Sequence, residues 1–189
     1  MRATVLPVLL QLQEKVGYPY TLISPDMYRW AAAGGGGWGT ICGTVAGAAC
    51  VINLAVPFGD IGKVVGELFG WYAETALPSK NHEAYAKFPN QVQSVAGNPL
   101  CHASVSNWCA ASGFAEKSPE RLDRCAKLCG DVAATTIELL NDYHGGKLAV
   151  VYNKVNPEAQ SCFSCHVEGK NNTLTKMNCL PCHDNPHKK

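Results

Sequence analysis

Two short segments near the C-terminus hold residues with the types and spacing to do chemistry. One reads Cys162-Phe163-Ser164-Cys165-His166 and the other Cys179-Leu180-Pro181-Cys182-His183. Each is a C-x-x-C-H run, the attachment signature of c-type haem. The spacing has a physical basis. Two thiols three positions apart reach the two vinyl groups on one edge of a porphyrin, and the adjacent histidine then swings over the ring face to ligate the iron. The sequence thus implies two haems c per chain, attached through Cys162, Cys165, Cys179 and Cys182, with His166 and His183 as proximal axial ligands.

A zinc ribbon is the plain alternative, because two C-x-x-C pairs thirteen residues apart could wrap one tetrahedral ion. That reading needs no histidine after either pair. With six histidines in 189 residues, one after both pairs by chance is on the order of one in a thousand. Disulfides within each pair would leave the segment without any core. Each haem iron also needs a sixth ligand or an open site, and His82, His102, His144, His187, Met1, Met27 and Met177 remain to supply it. His187, His144 and His102 are the distal candidates, the plain alternative for each being a solvated surface histidine. Bis-histidine coordination favours electron transfer over small-ligand chemistry.

The elements that must position these groups divide the chain in two. Residues 156–189 are poor in aliphatic side chains, so they depend on their haems for apolar surface. Residues 1–155 are expected to form a helical domain, giving a mainly α fold with a haem-organised, largely irregular C-terminal tail. The reading places an amphipathic helix and a turn-rich segment within residues 1–30, a glycine run over 31–39, and small-residue helices around Cys42–Val56 and Ile61–Ala76. An irregular loop with Pro78, Pro89 and Pro99 follows, then a short helix over Cys101–Ser112. Ser118-Pro119-Glu120 is a strong helix start: a capping serine, proline at the first position, and an acid at the positive dipole end. Leu122, Cys125, Cys129, Val132, Thr136, Leu139 and Leu140 recur at helical spacing until Gly145-Gly146.

Composition narrows the function. At 47% hydrophobic the chain can bury a core, and sixteen basic against fifteen acidic residues leave a net charge of +1. No whole-chain field points to nucleic acid, and no apolar run approaches the roughly 18–20 residues needed to span a bilayer. Ten cysteines are the outlier, and such a count implies metal, redox or disulfide chemistry. Cys42, Cys50, Cys101, Cys109, Cys125 and Cys129 lie outside C-x-x-C pairs. Cys125 and Cys129 share one helix face at i, i+4, which suits shared metal ligation and equally two core thiols. No Ser-His-Asp arrangement or phosphate loop is present, and Gly34–Gly37 lacks the G-x-x-x-x-G-K pattern, so close helix packing is its expected purpose. Trp30, Trp38, Trp71 and Trp108 read as core or haem-edge residues.

Three segments carry a resemblance: GGGGWGTICGTVAGA (Gly34 to Ala48), CHASVSNWCAASG (Cys101 to Gly113) and ERLDRCAKLCGDVAATTIELLN (Glu120 to Asn141). They resemble the redox family named for its C-GC-C-C cysteine pattern. With two C-x-x-C-H motifs at its end, such a domain is similar to the split-Soret cytochromes c of sulfate-reducing bacteria. The resemblance implies a homodimer with haems gathered near the interface, bis-histidine ligation, and an iron–sulfur centre in the helical domain. Cys42, Cys101 and Cys125 match the family cysteines. The family's early cysteine has no counterpart before Cys42, so the fourth ligand falls to Cys109, Cys129 or Cys50, with Cys109 favoured. The function expected is electron carriage between redox partner proteins, with no nucleic acid and no membrane span. An enzyme using an open haem or the iron–sulfur centre is the rival. Haem is attached to such motifs outside the bacterial cytoplasmic membrane, so the location expected is periplasmic. Val5 to Leu10, short and broken by Pro7, does not read as a secretory signal.

Overall fold

The computed structural model describes residues 2–166 and 174–182. His183 and His187 lie outside the described residues, as does Met1. Cys165 is described by its backbone alone.

Helix α1 (Arg2–Lys15) is followed by short 3₁₀ turns over Tyr20–Leu22 and Pro25–Ala31. Helix α2 (Gly43–Ala55) is composed almost wholly of small and β-branched residues. Eight of its side chains or backbone positions are buried, and α1, α3 (Ile61–Glu74) and α5 (Pro119–His144) all pack on it. The small residues explain why: only a thin helix lets three neighbours come close at once. Val45, Val51 and Ile52 are almost fully buried, and each contributes about 1.5–3 kcal/mol by leaving water.

A two-stranded antiparallel ribbon, β1 (Ala76–Leu77) with β2 (Ser94–Val95), closes the segment between α3 and α4 (Cys101–Ser112). Gly113 ends α4 in the left-handed conformation at φ 76°, which glycine adopts without strain. Ser118 caps α5 by accepting a hydrogen bond from the Arg121 amide at 3.2 Å, as the sequence predicts. The buried stripe of α5 is Arg124, Leu128, Val132, Thr136 and Leu140. Leu122, expected inside, is exposed. The core-facing row thus includes an arginine.

Of the tryptophans, Trp108 is buried and Trp71 half-buried, while Trp30 and Trp38 are exposed and so are not core. One further expectation is revised: the glycine run does not lie between helices. Gly34 holds φ 71°, and a Cβ there would stand 2.8 Å from the Cβ of Cys101. Its function is to let a loop close over the start of α4.

The tail begins on α3. The buried Glu67 carboxylate accepts hydrogen bonds from the backbone amides of Val151, Tyr152 and Asn153 at 2.9–3.0 Å. Gly66 and Gly70, one turn apart, leave no room for a Cβ against Asn153 and the Tyr152 carbonyl. A carboxylate clamp and a glycine groove therefore hold the connector down before α6 (Pro157–His166) begins. Helix α6 contains the first C-x-x-C-H segment, an ordered start that the tail's composition did not announce.

Candidate functional site

An antiparallel clip aligns the starts of α2 and α4. Ile41 bridges Leu100, the Cys42 amide donates to Pro99 O at 2.8 Å, and the Cys101 amide donates to Thr40 O at 2.6 Å. Cys42 is therefore the N-cap of α2 and Cys101 the first residue of α4. Both sulfurs sit where helix dipoles favour negative charge. Helix α5 crosses this corner with Cys125 and Cys129 one turn apart. Cys42, Cys101, Cys109, Cys125 and Cys129 all line one cavity of about 550 Å³. The glycine loop supplies another wall through Gly37 and Gly39, and His102 and Arg121 stand at its edge. Cys50 is absent from this lining and packs instead against the hydrophobic core.

The electrostatics of the cavity are those of clustered thiols. Burial, then the neighbouring Cys42 and Cys125, push the Cys101 thiol up to about 11, against opposing pulls from Arg121 and Arg124. Burial, then the neighbouring Cys42, likewise hold the Tyr72 phenol well above its ordinary value. Thr44 Oγ1 donates to Cys129 Sγ at 3.1 Å, and Arg121 Nη1 stands 3.9 Å from Cys125 Sγ. Among the described residues no three His, Cys, Asp or Glu side chains converge closely enough to hold a single metal ion. A lone zinc needs its sulfurs about 2.3 Å from one point. Thiols spread around a roomy cavity instead fit a polynuclear iron–sulfur group, which cysteine thiolates hold from several sides.

The second group of thiols lies in the tail. The Cys162 and Cys179 side chains are neighbours, and burial, then Cys162, raises the Cys179 thiol. The two C-x-x-C-H segments thus meet at their first cysteines. His166 is half-buried at the end of α6, and Cys182 is exposed. Nothing in the described set places His183 or His187.

The remaining histidines separate cleanly. His82 is buried with both ring nitrogens engaged, one 2.8 Å from Asp131 and the other 2.6 Å from the Tyr85 hydroxyl. It is a structural histidine. His144 is exposed at the end of α5 with its ring edge-to-face on Tyr143. His102 is exposed, with Gly39 against its Cβ, and so belongs to the rim of the thiol cavity. Met27 is exposed, whereas Met177 lines a second cavity of about 540 Å³ beside Phe69, Gly70 and Tyr152.

Sequence reasoning did not single out Tyr72, Ser104, Arg124 or Glu67. Arg124 alone left a signal, since it occupies a core register of α5 where the periodicity calls for an apolar residue.

Comparison with known proteins points the same way. The family model described as putative redox-active protein (C_GCAxxG_C_C) matches residues 7–139. The chain is 34% identical over 176 residues to split-Soret cytochrome c of Desulfovibrio desulfuricans, covering 90% of this chain and 63% of that protein. It therefore spans a little under two thirds of that relative. A solved structure of split-Soret cytochrome c from the same species, described for a novel iron centre, superposes with a TM-score of 0.82 at 30% identity. That match covers 95% of this chain and 77% of the other.

Proposed function

Because the chain belongs to the C_GCAxxG_C_C family of redox-active proteins, and is a relative of split-Soret cytochrome c, we propose that it is a dihaem c-type cytochrome that carries electrons. Two haems c are attached at Cys162 and Cys165 and at Cys179 and Cys182, with His166 and His183 as proximal ligands. The observation that carries this reading is the pair of C-x-x-C-H segments brought together at Cys162 and Cys179. The haems supply reversible one-electron chemistry. The chain contributes the covalent anchors, the adjacency of the two segments, and a rigid base in the Glu67 clamp on α3. His187, His144 and His102 are the candidates for the distal positions, giving bis-histidine low-spin irons in a homodimer. The protein works in the periplasm with redox partner proteins, as a carrier rather than an enzyme.

The thiol cavity holds the additional iron–sulfur centre, with Cys42, Cys101 and Cys125 as ligands. For the fourth position the helical rise favours Cys129, about 6 Å along α5 from Cys125, over Cys109, the one favoured on sequence among Cys109, Cys129 and Cys50. Cys109 lies about 12 Å along α4 from Cys101.

One observation favours a second reading. Neighbouring Cys162 and Cys179 thiols are also what two ligands of a single zinc ion would look like. An absorption spectrum with a pyridine haemochrome count separates the two. Two haems per chain with a sharp low-spin reduced α band, and no carbon monoxide binding on reduction, are the expected result. A colourless protein that holds zinc would sink the cytochrome reading.

A further inference from the structure

Arg124 is 1% exposed, in the middle of the molecule. A buried guanidinium normally pairs with a carboxylate, because removing an isolated charge from water costs several kcal/mol. Among the described residues Arg124 has no such partner: the ion pairs formed are those of Arg2, Arg29, His82, Arg121, Lys127 and Lys154. Its Nε is a buried donor without an acceptor. Its one hydrogen bond runs from Nη2 to Ser104 Oγ at 2.8 Å. Ser104 Oγ lies 2.7 Å from the Tyr72 hydroxyl, and Cys42 is the thiol neighbour that, after burial, raises the Tyr72 phenol.

This chain of contacts allows a consistent direction. Arginine can only donate, so the Ser104 oxygen accepts from it; the Ser104–Tyr72 bond is open to either donor, and with Ser104 donating the phenol proton is free. That leaves the Tyr72 proton for the neighbouring Cys42 sulfur. Three groups on α5, α4 and α3 are thus polarised toward Cys42 at the start of α2, one corner of the thiol cavity. A positive charge with nothing to balance it and donors aimed at a sulfur call for negative charge in that cavity.

We propose that Arg124, acting through Ser104 and Tyr72, is the fixed counter-charge of an anionic thiolate-ligated cluster in the Cys42–Cys101–Cys125 cavity, and that it sets the reduction potential of that cluster. The inference rests on the iron–sulfur reading above and extends it to a residue that is not a ligand. A one-electron reduction adds one negative charge to the site, so a fixed positive charge beside it favours the reduced state and raises the potential. Arg121 also reaches the cavity, with Nη1 3.9 Å from Cys125 Sγ, but its charge is paired with Glu116 at the rim, so it is not the uncompensated one.

The test uses the full-length protein with its haems, loaded anaerobically with iron and sulfide, as wild type, Arg124→Met and Arg124→Lys. The cluster is titrated with its paramagnetic signal as the readout and the haem absorbance as an internal reference. Arg124→Met is expected to lower the one-electron reduction equilibrium of the cluster about tenfold, which is about 59 mV. Arg124→Lys, which keeps the charge, stays nearer wild type, and the haem midpoints move less than the cluster. A cluster midpoint unmoved in Arg124→Met, or moved as far by lysine as by methionine, overturns the inference while the iron–sulfur site stands. Wild-type protein that takes up no iron and sulfide overturns the site and the inference together. If the methionine variant loads poorly, denaturation of the cluster-free proteins decides. An uncompensated charge predicts cluster-free Arg124→Met at least as stable as cluster-free wild type, and a clear loss of stability overturns it.

Discussion

Burial keeps the proton on the Cys101 thiol, and the same force acts on Cys50, Tyr28 and Tyr72. Each is an acid that is neutral when protonated and whose folded-state pKa is raised. The unfolded chain releases these protons first, so the stability they contribute is intact below about pH 9 and is lost as the pH climbs through the folded-state values. For Cys101 that window runs from 9.0 to about 11. The guanidinium midpoint of the cluster-free protein is expected to stay level up to pH 9 and to fall by pH 11. A midpoint that rises over that interval contradicts the burial described here. At this scale the C-x-x-C-H runs can be read without a fold, because the pattern is local, and the haem attachment they imply is what the proposed function rests on. The roles of His82 and Arg124 cannot. A histidine becomes structural through Asp131 and Tyr85, and an arginine becomes a counter-charge through burial, and both depend on contacts remote in the chain.

Helices were legible where their ends carry chemistry. Ser118-Pro119 and Gly145 bracket α5, and Gly113 ends α4. What the sequence did not show is the face of α3 that receives the tail connector. Gly66 and Gly70 look like helix-weakening residues until the Tyr152 carbonyl is seen against them. A Cβ on Gly70 would stand 2.1 Å from that carbonyl oxygen, a backbone atom that cannot step aside alone. Gly70→Ala is therefore expected to destabilise the protein by about 1–3 kcal/mol through overpacking, outweighing the gain in helix propensity. Gly62→Ala, in the same helix with open space at its Cβ, is the control. It is expected to be neutral or to stabilise by up to about 1 kcal/mol. Thermal unfolding of the two variants side by side checks this. Equal behaviour would mean that the connector does not rest in the glycine groove.

The molecule as a whole has a core that closes without the haem segments. Among the described residues its buried cluster draws on α1, α2, α3 and α5 and extends no further along the chain than Leu148. Of the buried hydrophobic residues described, Ala159 alone belongs to the tail. On the proposed reading two units with different physical bases follow: a helical body organised by apolar packing, and a tail that would be organised by its haems. Replacing Cys162, Cys165, Cys179 and Cys182 by alanine in the full chain should then remove both haems yet leave the helical circular dichroism and the cooperative unfolding of the body nearly intact. Sedimentation of the same variant locates the interface. Haems gathered between subunits predict a dimer for the haem-bearing protein and a monomer for the variant. A variant that stays dimeric would move the interface onto the body, where Trp30 and Trp38 are exposed. Loss of the cooperative transition itself would show that the body leans on its haems more than its buried core implies.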